Sequence, residues 1–165
     1  MKTAIPTPFA SIPELLICWQ NTGIERIVLL KERTVKSPDS DGRGAEPEFV
    51  VACRQWFDAY WHRQWIVETS QLHLLLPESR FFRSVMGALA TIGYGQVITY
   101  GELAGMAGFP GAARAVGRCM HQNPFPIVLP CHRVIARNNK WLYAYGSEAK
   151  RELLAHEAFG NIGNR

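Results

Sequence analysis

Thr99-Tyr100-Gly101-Glu102-Leu103-Ala104-Gly105-Met106-Ala107-Gly108-Phe109-Pro110-Gly111-Ala112-Ala113-Arg114-Ala115-Val116-Gly117-Arg118-Cys119-Met120-His121-Gln122 decides how the second half of this chain folds. Thr99 offers a hydroxyl to cap a helix, and Glu102, three residues on, completes a capping box. The helix so begun runs to Ala107 and stops at Gly108-Phe109-Pro110-Gly111. A second helix is expected from Ala112 to about Gln122, ended by Asn123-Pro124. Two helices joined by a short glycine-containing turn give the helix-turn-helix outline.

The second helix has two faces. Ala112, Val116, Cys119 and Met120 follow helical spacing and face a core. Arg114, Gly117, Arg118 and His121 form the opposite stripe, flanked by Ala113 and Ala115. Its cations attract phosphates, and its small residues let a helix backbone approach a groove closely. Arg114 is long enough to hold a base stack open once a base has left it. A solvated basic face is the alternative. Asn and Gln, the residues that read base edges, are absent from the stripe, which argues against sequence-specific readout.

Downstream, the apolar run Ile127-Val128-Leu129 leads into Pro130-Cys131-His132-Arg133-Val134. A thiolate is a strong nucleophile and needs a neighbouring base or positive group to form near neutral pH. His132 is the candidate base. In the last helix, capped by Ser147, the residues Leu153, Leu154 and Glu157 share a face, so Glu157 points inward and needs a partner. A carboxylate on His132 would fix its tautomer, which gives a Cys-His-acid relay; pairing of Glu157 with His156 or a lysine is the alternative. Asn123 before Pro124 is suited to bracing a turn. Tyr143 and Tyr145 flank Ala144, either as core or as walls of a pocket for a flat base.

The bulk composition is consistent with this. The 165 residues are 47% hydrophobic and 19% charged, which is globular rather than disordered, and the net charge of +4 permits a polyanionic partner without requiring one. No apolar run reaches the length of about 18 residues that a membrane span needs, and no signal peptide is evident. A reduced, cytoplasmic protein, in which a free reactive thiol survives, is therefore expected; the four cysteines form no C-x-x-C pair, and Cys18, Cys53 and Cys119 sit among apolar residues as buried thiols. In the first half, residues 1–12 read as a loose leader. Leu15–Trp19 and Ile24–Leu30 read as a hairpin around Asn21-Thr22-Gly23. Residues 36–47 read as a loop. Val50, Cys53, Phe57, Tyr60 and Trp61 mark a helix, and Gln71–Leu76 marks a further strand. No chemistry is evident there.

From Phe82 to Glu157, about half its length, the chain resembles the O6-alkylguanine-DNA alkyltransferases, the methylated-DNA–protein-cysteine methyltransferases, in their bacterial form. The resemblance is carried by Gly95-Gln96-Val97-Ile98-Thr99-Tyr100, Ala113-Arg114-Ala115-Val116-Gly117, Asn123-Pro124, Pro126-Ile127, Leu129-Pro130-Cys131-His132-Arg133-Val134 and Leu153-Leu154-Ala155-His156-Glu157. It implies an α/β chain: a small sheet-plus-helix, ribonuclease-H-like domain over residues 1–77, then a mainly helical, winged helix-turn-helix-like domain over 78–165. It implies repair by irreversible, single-turnover transfer of an alkyl group from O6-alkylguanine to Cys131. His132 would take the thiol proton through a water, Glu157 would hold His132, Asn123 would brace the turn, and Tyr100 would rotate and hydrogen-bond the nucleotide. Ala113, Arg114, Ala115, Gly117, Arg118 and Arg133 would meet DNA. Tyr100, Val134, Tyr143, Ala144 and Tyr145 would form the pocket, with the Cys131 and Val134 carbonyls reading the guanine amine. The partner implied is double-stranded DNA bearing O6-alkylguanine, met by a monomer with no metal and no cofactor.

Three departures stand out. Leu142-Tyr143-Ala144-Tyr145-Gly146 resembles the bacterial Gly-Tyr-Arg-Trp-Gly pattern, without the serine of animal members, and Tyr145 is expected to narrow the pocket against bulky alkyl groups. Gly93-Tyr94-Gly95 stands where Pro-Tyr-Gly is usual, and the zinc ligands of some animal members are not reproduced. A thiol hydrolase or redox enzyme, and a damage-sensing binding protein without transfer, are the competing readings.

Overall fold

A computed structural model of the chain describes residues 1–33, 46–64, 69–137 and 141–160. The chain divides into two compact units, Met1–Leu76 and Pro77–Arg165.

In the first unit, β2 (Glu14–Gln20) and β3 (Gly23–Leu30) form the expected antiparallel hairpin. Alternation decides which face is buried: Leu15, Ile17 and Trp19 point inward from β2. Helix α1 (Glu48–Trp61) supplies Val50, Cys53, Phe57 and Tyr60 to the same core. Burial pushes the Cys53 thiol up to about 12, so it is inert.

Two expectations for this unit need correction. Residues 2–6 are not a loose leader: β1 (Lys2–Pro6) pairs antiparallel with β2, Thr3 opposite Ile17. An edge strand needs only one row of backbone partners, and Pro6 sits at its end, where a missing N–H costs little. Residues 71–76 are not a strand. Ser70–Leu72 is a 3-10 turn, His73 adopts the left-handed conformation at φ 47°, and a single bridge joins Leu74 to Ile24. The crossing is close: a Cβ on Gly23 would lie 2.2 Å from the His73 carbonyl oxygen, so only glycine fits there. The loop expected over residues 36–47 lies mostly outside the described residues.

The second unit is mainly helical. Helix α2 (Arg80–Ala90) starts at Ser79, whose hydroxyl accepts from the Phe82 N–H, and buries Phe82, Val85, Met86 and Leu89. Helix α3 (Tyr100–Met106) has the expected capping box: Thr99 Oγ1 accepts from Glu102 N, and a Glu102 oxygen accepts from Thr99 N at 2.6 Å. Such a cap is worth about 0.5–2 kcal/mol. Helix α4 (Ala113–His121) follows and packs on α3, with Val116, Cys119 and Met120 buried. Strands β4 (Ile98–Thr99) and β5 (Val134–Ile135) pair in parallel, Ile98 opposite Val134. That pairing sets the start of α3 beside the 3-10 turn Cys131–Arg133. Helix α5 (Ser147–Gly160) closes the unit; Ser147 is its first helical residue rather than a cap preceding it. Among the described residues, no helix is long and apolar enough to cross a membrane.

Candidate active site

The loop between α4 and Cys131 is braced by one amide. Asn123 Nδ2 donates to the Leu129 carbonyl at 2.8 Å and lies 3.0 Å from Cys131 Sγ, while its Oδ1 accepts from Phe125 N at 3.0 Å. Both amide protons and the amide oxygen are therefore used, all within the protein interior. Backbone bonds from Leu129 N to Phe125 O and from Cys131 N to Leu129 O tighten the same loop. Ile127 is held at φ 73°, a conformation that β-branched residues rarely adopt and that the surrounding bonds must impose. Cys131 comes out of this loop buried at 5% exposure.

His132 and Glu157 meet as expected. His132 Nε2 lies 2.8 Å from Glu157 Oε1, and both side chains are fully buried. With Nε2–H donating to the carboxylate, Nδ1 is the basic nitrogen; it is buried and bonded to no protein group among the described residues. Burial lowers the proton affinity of His132 more than Glu157 raises it, so the resting imidazole is neutral.

Arg133 is a correction. Expected to face DNA, it is 4% exposed and turned onto Glu157: Nε donates to Oε2 at 2.9 Å and Nη2 to Oε1 at 2.8 Å. Nη1 donates to the Ile92 carbonyl, and the guanidinium lies 4.4 Å from the centre of the Tyr94 ring. A guanidinium bonded through all three of its nitrogens and buried in the interior is not presented to a phosphate. Glu157 Oε2 also accepts from Gly95 N at 3.2 Å. Burial works against the Glu157 carboxylate, but the charge that His132 carries in the acid range where a carboxyl titrates, the Arg133 charge and the hydrogen bonds of both outweigh it and hold its pKa well below the usual range. Glu157 is thus ionised and matched by Arg133, and neutral His132 is oriented by it.

Burial likewise raises the Cys131 thiol, while the Asn123 amide, the Lys150 charge and the Tyr143 hydroxyl pull it down. Tyr100, raised by its own burial and by the nearness of Cys131, stays a neutral donor.

Cys131 opens on a cavity of about 1160 Å³. Tyr100, Ala113, Arg114, Gly117, Tyr143 and Ala144 line it with the thiol, so most of the expected site residues converge. Besides Arg133, four expected DNA-facing or pocket residues do not. Ala115 and Arg118 line a separate hollow with Phe81, because successive helical residues turn by about 100° and these two fall on the other flank of α4. Val134 is fully buried, and its carbonyl accepts from Lys150 Nζ at 2.6 Å. Tyr145 is not part of the lining; its ring packs 5.6 Å from that of Tyr143, and exposed Leu142 lines the cavity instead. Sequence reasoning missed Leu142 and Lys150. Lys150 had a readable signal, since it precedes Leu153 and Glu157 by three and seven residues and so shares their buried helix face.

Comparison with known proteins gives concordant results. Residues 80–159 match a family model described as 6-O-methylguanine DNA methyltransferase, DNA binding domain. The methylated-DNA–protein-cysteine methyltransferase of Homo sapiens is 35% identical over 167 aligned residues, covering 94% of this chain and 79% of that protein. The protein of the same name from Shigella flexneri is 52% identical over 80 residues, covering 48% of this chain and 47% of its own. A crystal structure of Mycobacterium tuberculosis OGT in complex with DNA superposes with a TM-score of 0.76 at 33% identity, covering 96% of this chain and 93% of that one.

Proposed function

The chain belongs to the methylated-DNA–protein-cysteine methyltransferase family, and from that premise we propose that Cys131 is the acceptor and that its neighbours divide the chemistry as follows. The protein repairs DNA by direct, irreversible alkyl transfer, one event per molecule. The observation that carries the residue assignment is the Cys131 thiol, held by Asn123 at 3.0 Å, on the wall of a cavity that Arg114 and Tyr100 also line.

The thiol proton leaves through a water to His132 Nδ1, and the imidazolium is stabilised by the Glu157 carboxylate already on Nε2. The thiolate attacks the alkyl carbon of O6-alkylguanine. An S–C bond forms, the C–O6 bond breaks, and its electron pair stays with the base. The base takes one proton in all and leaves as neutral guanine, so the thiol proton is balanced by the one guanine gains. Tyr100, kept neutral, donates a hydrogen bond to the departing base. No step calls for a metal or organic cofactor.

DNA reaches the site by way of α4. Arg114, exposed at the cavity rim, fills the place of the flipped nucleotide, and Ala113 and Gly117 permit close approach of the helix. The substrate is double-stranded DNA containing O6-alkylguanine, met by a monomer acting in the cytoplasm. The first unit is a ribonuclease-H-like scaffold, a reading supported by its three-stranded sheet and single long helix. The second is a winged helix-turn-helix, supported by the α3–α4 pair. Intact-protein mass spectrometry after mixing with a duplex carrying one O6-methylguanine tests the assignment. One added methyl, mapped to Cys131 and lost in Cys131→Ser, is expected. Tight lesion binding with no mass change would instead favour damage sensing.

A further inference from the structure

Lys150 is fully buried on α5, a rare state for a lysine without an acidic partner, and no carboxylate pairs with it among the described residues. Its Nζ donates to two backbone carbonyls, Val134 at 2.6 Å and Leu142 at 3.1 Å. Val134 immediately follows the nucleophile turn. Leu142 immediately precedes Tyr143 and Ala144 in the cavity wall. One ammonium therefore ties the nucleophile to the surface it faces.

The charges around it narrow its role. Arg133 and Glu157 cancel each other, and the Glu157 oxygens are already taken by His132, Arg133 and Gly95. Burial depresses Lys150 to about 8, and the group that favours its protonated form is Cys131. In return Lys150 lowers the Cys131 thiol, and it also disfavours a charge on His132. The Tyr143 and Tyr100 hydroxyls are the other titratable groups beside the sulfur. A buried thiolate needs a counter-charge, and among the described residues Lys150 is the buried cation not already committed to a carboxylate.

We propose that Lys150 is a positioning residue for alkyl transfer: its ammonium is the counter-charge of the Cys131 thiolate and, through the Val134 and Leu142 carbonyls, clamps the nucleophile turn to the pocket wall. This deepens the reading of Cys131 as acceptor and rests on it.

The test is the ultraviolet thiolate titration of the free protein, with the Cys131→Ser signal subtracted to remove the other three thiols. In Lys150→Met the Cys131 titration is expected to move up by about one pH unit. Methyl transfer should be slowed most at neutral pH, with the deficit closing as pH rises, and Lys150→Arg should restore part of both. A Met variant that titrates like the wild type, or whose rate deficit is the same at every pH, would overturn the proposal. Should that variant fail to fold, the Lys150 side-chain carbon resonance can be titrated in the wild type and in Cys131→Ser. The lysine pKa is expected to fall when the thiol is replaced, and an unchanged value would overturn the proposal equally. Failure of the acceptor reading looks different: the wild type would gain no methyl at Cys131, whatever the titrations give.

Discussion

Replacing Arg133 by Met removes one cation from the interior while roughly keeping its volume. In the wild type its Nε and Nη2 hold both Glu157 oxygens, at 2.9 and 2.8 Å, with neither side chain more than 5% exposed. Removing one partner of such a pair strands the other charge, at a cost of about 3–5 kcal/mol. Total stabilities are about 5–15 kcal/mol, so a large share of the second unit's stability should go. At about 4–8 °C per kcal/mol for a unit of this size, the melting temperature should fall by about 12 °C or more. Fluorescence is the wrong probe, because Trp19, Trp56, Trp61 and Trp65, four of the five tryptophans, precede Pro77. Peptide-resolved hydrogen exchange over residues 77–160 in increasing urea reads the right unit. The salt dependence of DNA binding should keep its slope, whereas loss of one phosphate contact would flatten it by about 0.9. A variant within about 1 kcal/mol of wild-type stability, but with the shallower salt slope, would refute the burial of Arg133 on Glu157.

Three further outcomes are expected. Asn123→Ala leaves the Phe125 N–H and the thiol without their partner, while the Leu129 carbonyl keeps the Cys131 N–H; at about 1–3 kcal/mol for each buried group left unpaired, the unit should lose about 2 kcal/mol or more and the Cys131 thiolate titration should rise, as urea denaturation and ultraviolet absorbance would report. Arg114→Ala, on an exposed residue, should leave the melting temperature within a degree or two and flatten the salt slope of DNA binding by about 0.9, with slower transfer in single-turnover kinetics. Glu157→Gln probes the acid limb. A carboxyl held below its unfolded pKa adds stability that is fully present above the unfolded value and is lost as pH falls through the folded one. The stability gap between wild type and Glu157→Gln should therefore be flat from about pH 7 to 5 and close only below the ordinary carboxylate range. A gap already closing at pH 6 would contradict the ionised, Arg133-matched Glu157.

Local signals carried much of the fold. The β2–β3 hairpin follows from two short apolar runs split by Asn21-Thr22-Gly23, and α3 from a capping box spelled out in four residues. What escaped were non-local pairings. Strand β1 has weak periodicity of its own and is defined by its partner, and residues 71–76 look like a strand until the left-handed His73 and the close crossing at Gly23 are seen. The site divides in the same way. Cys131, His132, Asn123 and Glu157 were legible because each chemistry demands a partner of known type. Arg133 was misplaced because a charged neighbour of a nucleophile reads as outward-facing, whereas a 3-10 turn here buries three successive side chains, 131 to 133. Arg118 shared a stripe with Arg114 by spacing, with Ala115 at its flank, yet a wide stripe spans two flanks of a helix and only one meets the cavity.

Glu157 also sets an order of events during synthesis. It gathers contacts from Gly95, 62 residues earlier, and from His132 and Arg133, 25 and 24 residues earlier. A ribosome delivers Cys131 well before it delivers α5. Until that helix docks, His132 has no carboxylate to orient it, Arg133 has no charge to cancel it, and Lys150 is not yet on the Val134 carbonyl. The growing chain therefore carries Cys131 without the Glu157-oriented His132 or the Lys150 clamp beside it, and that arrangement exists only once translation has passed residue 157 and the last helix has packed. Assembly of the site is thereby deferred until the fold of this unit is complete.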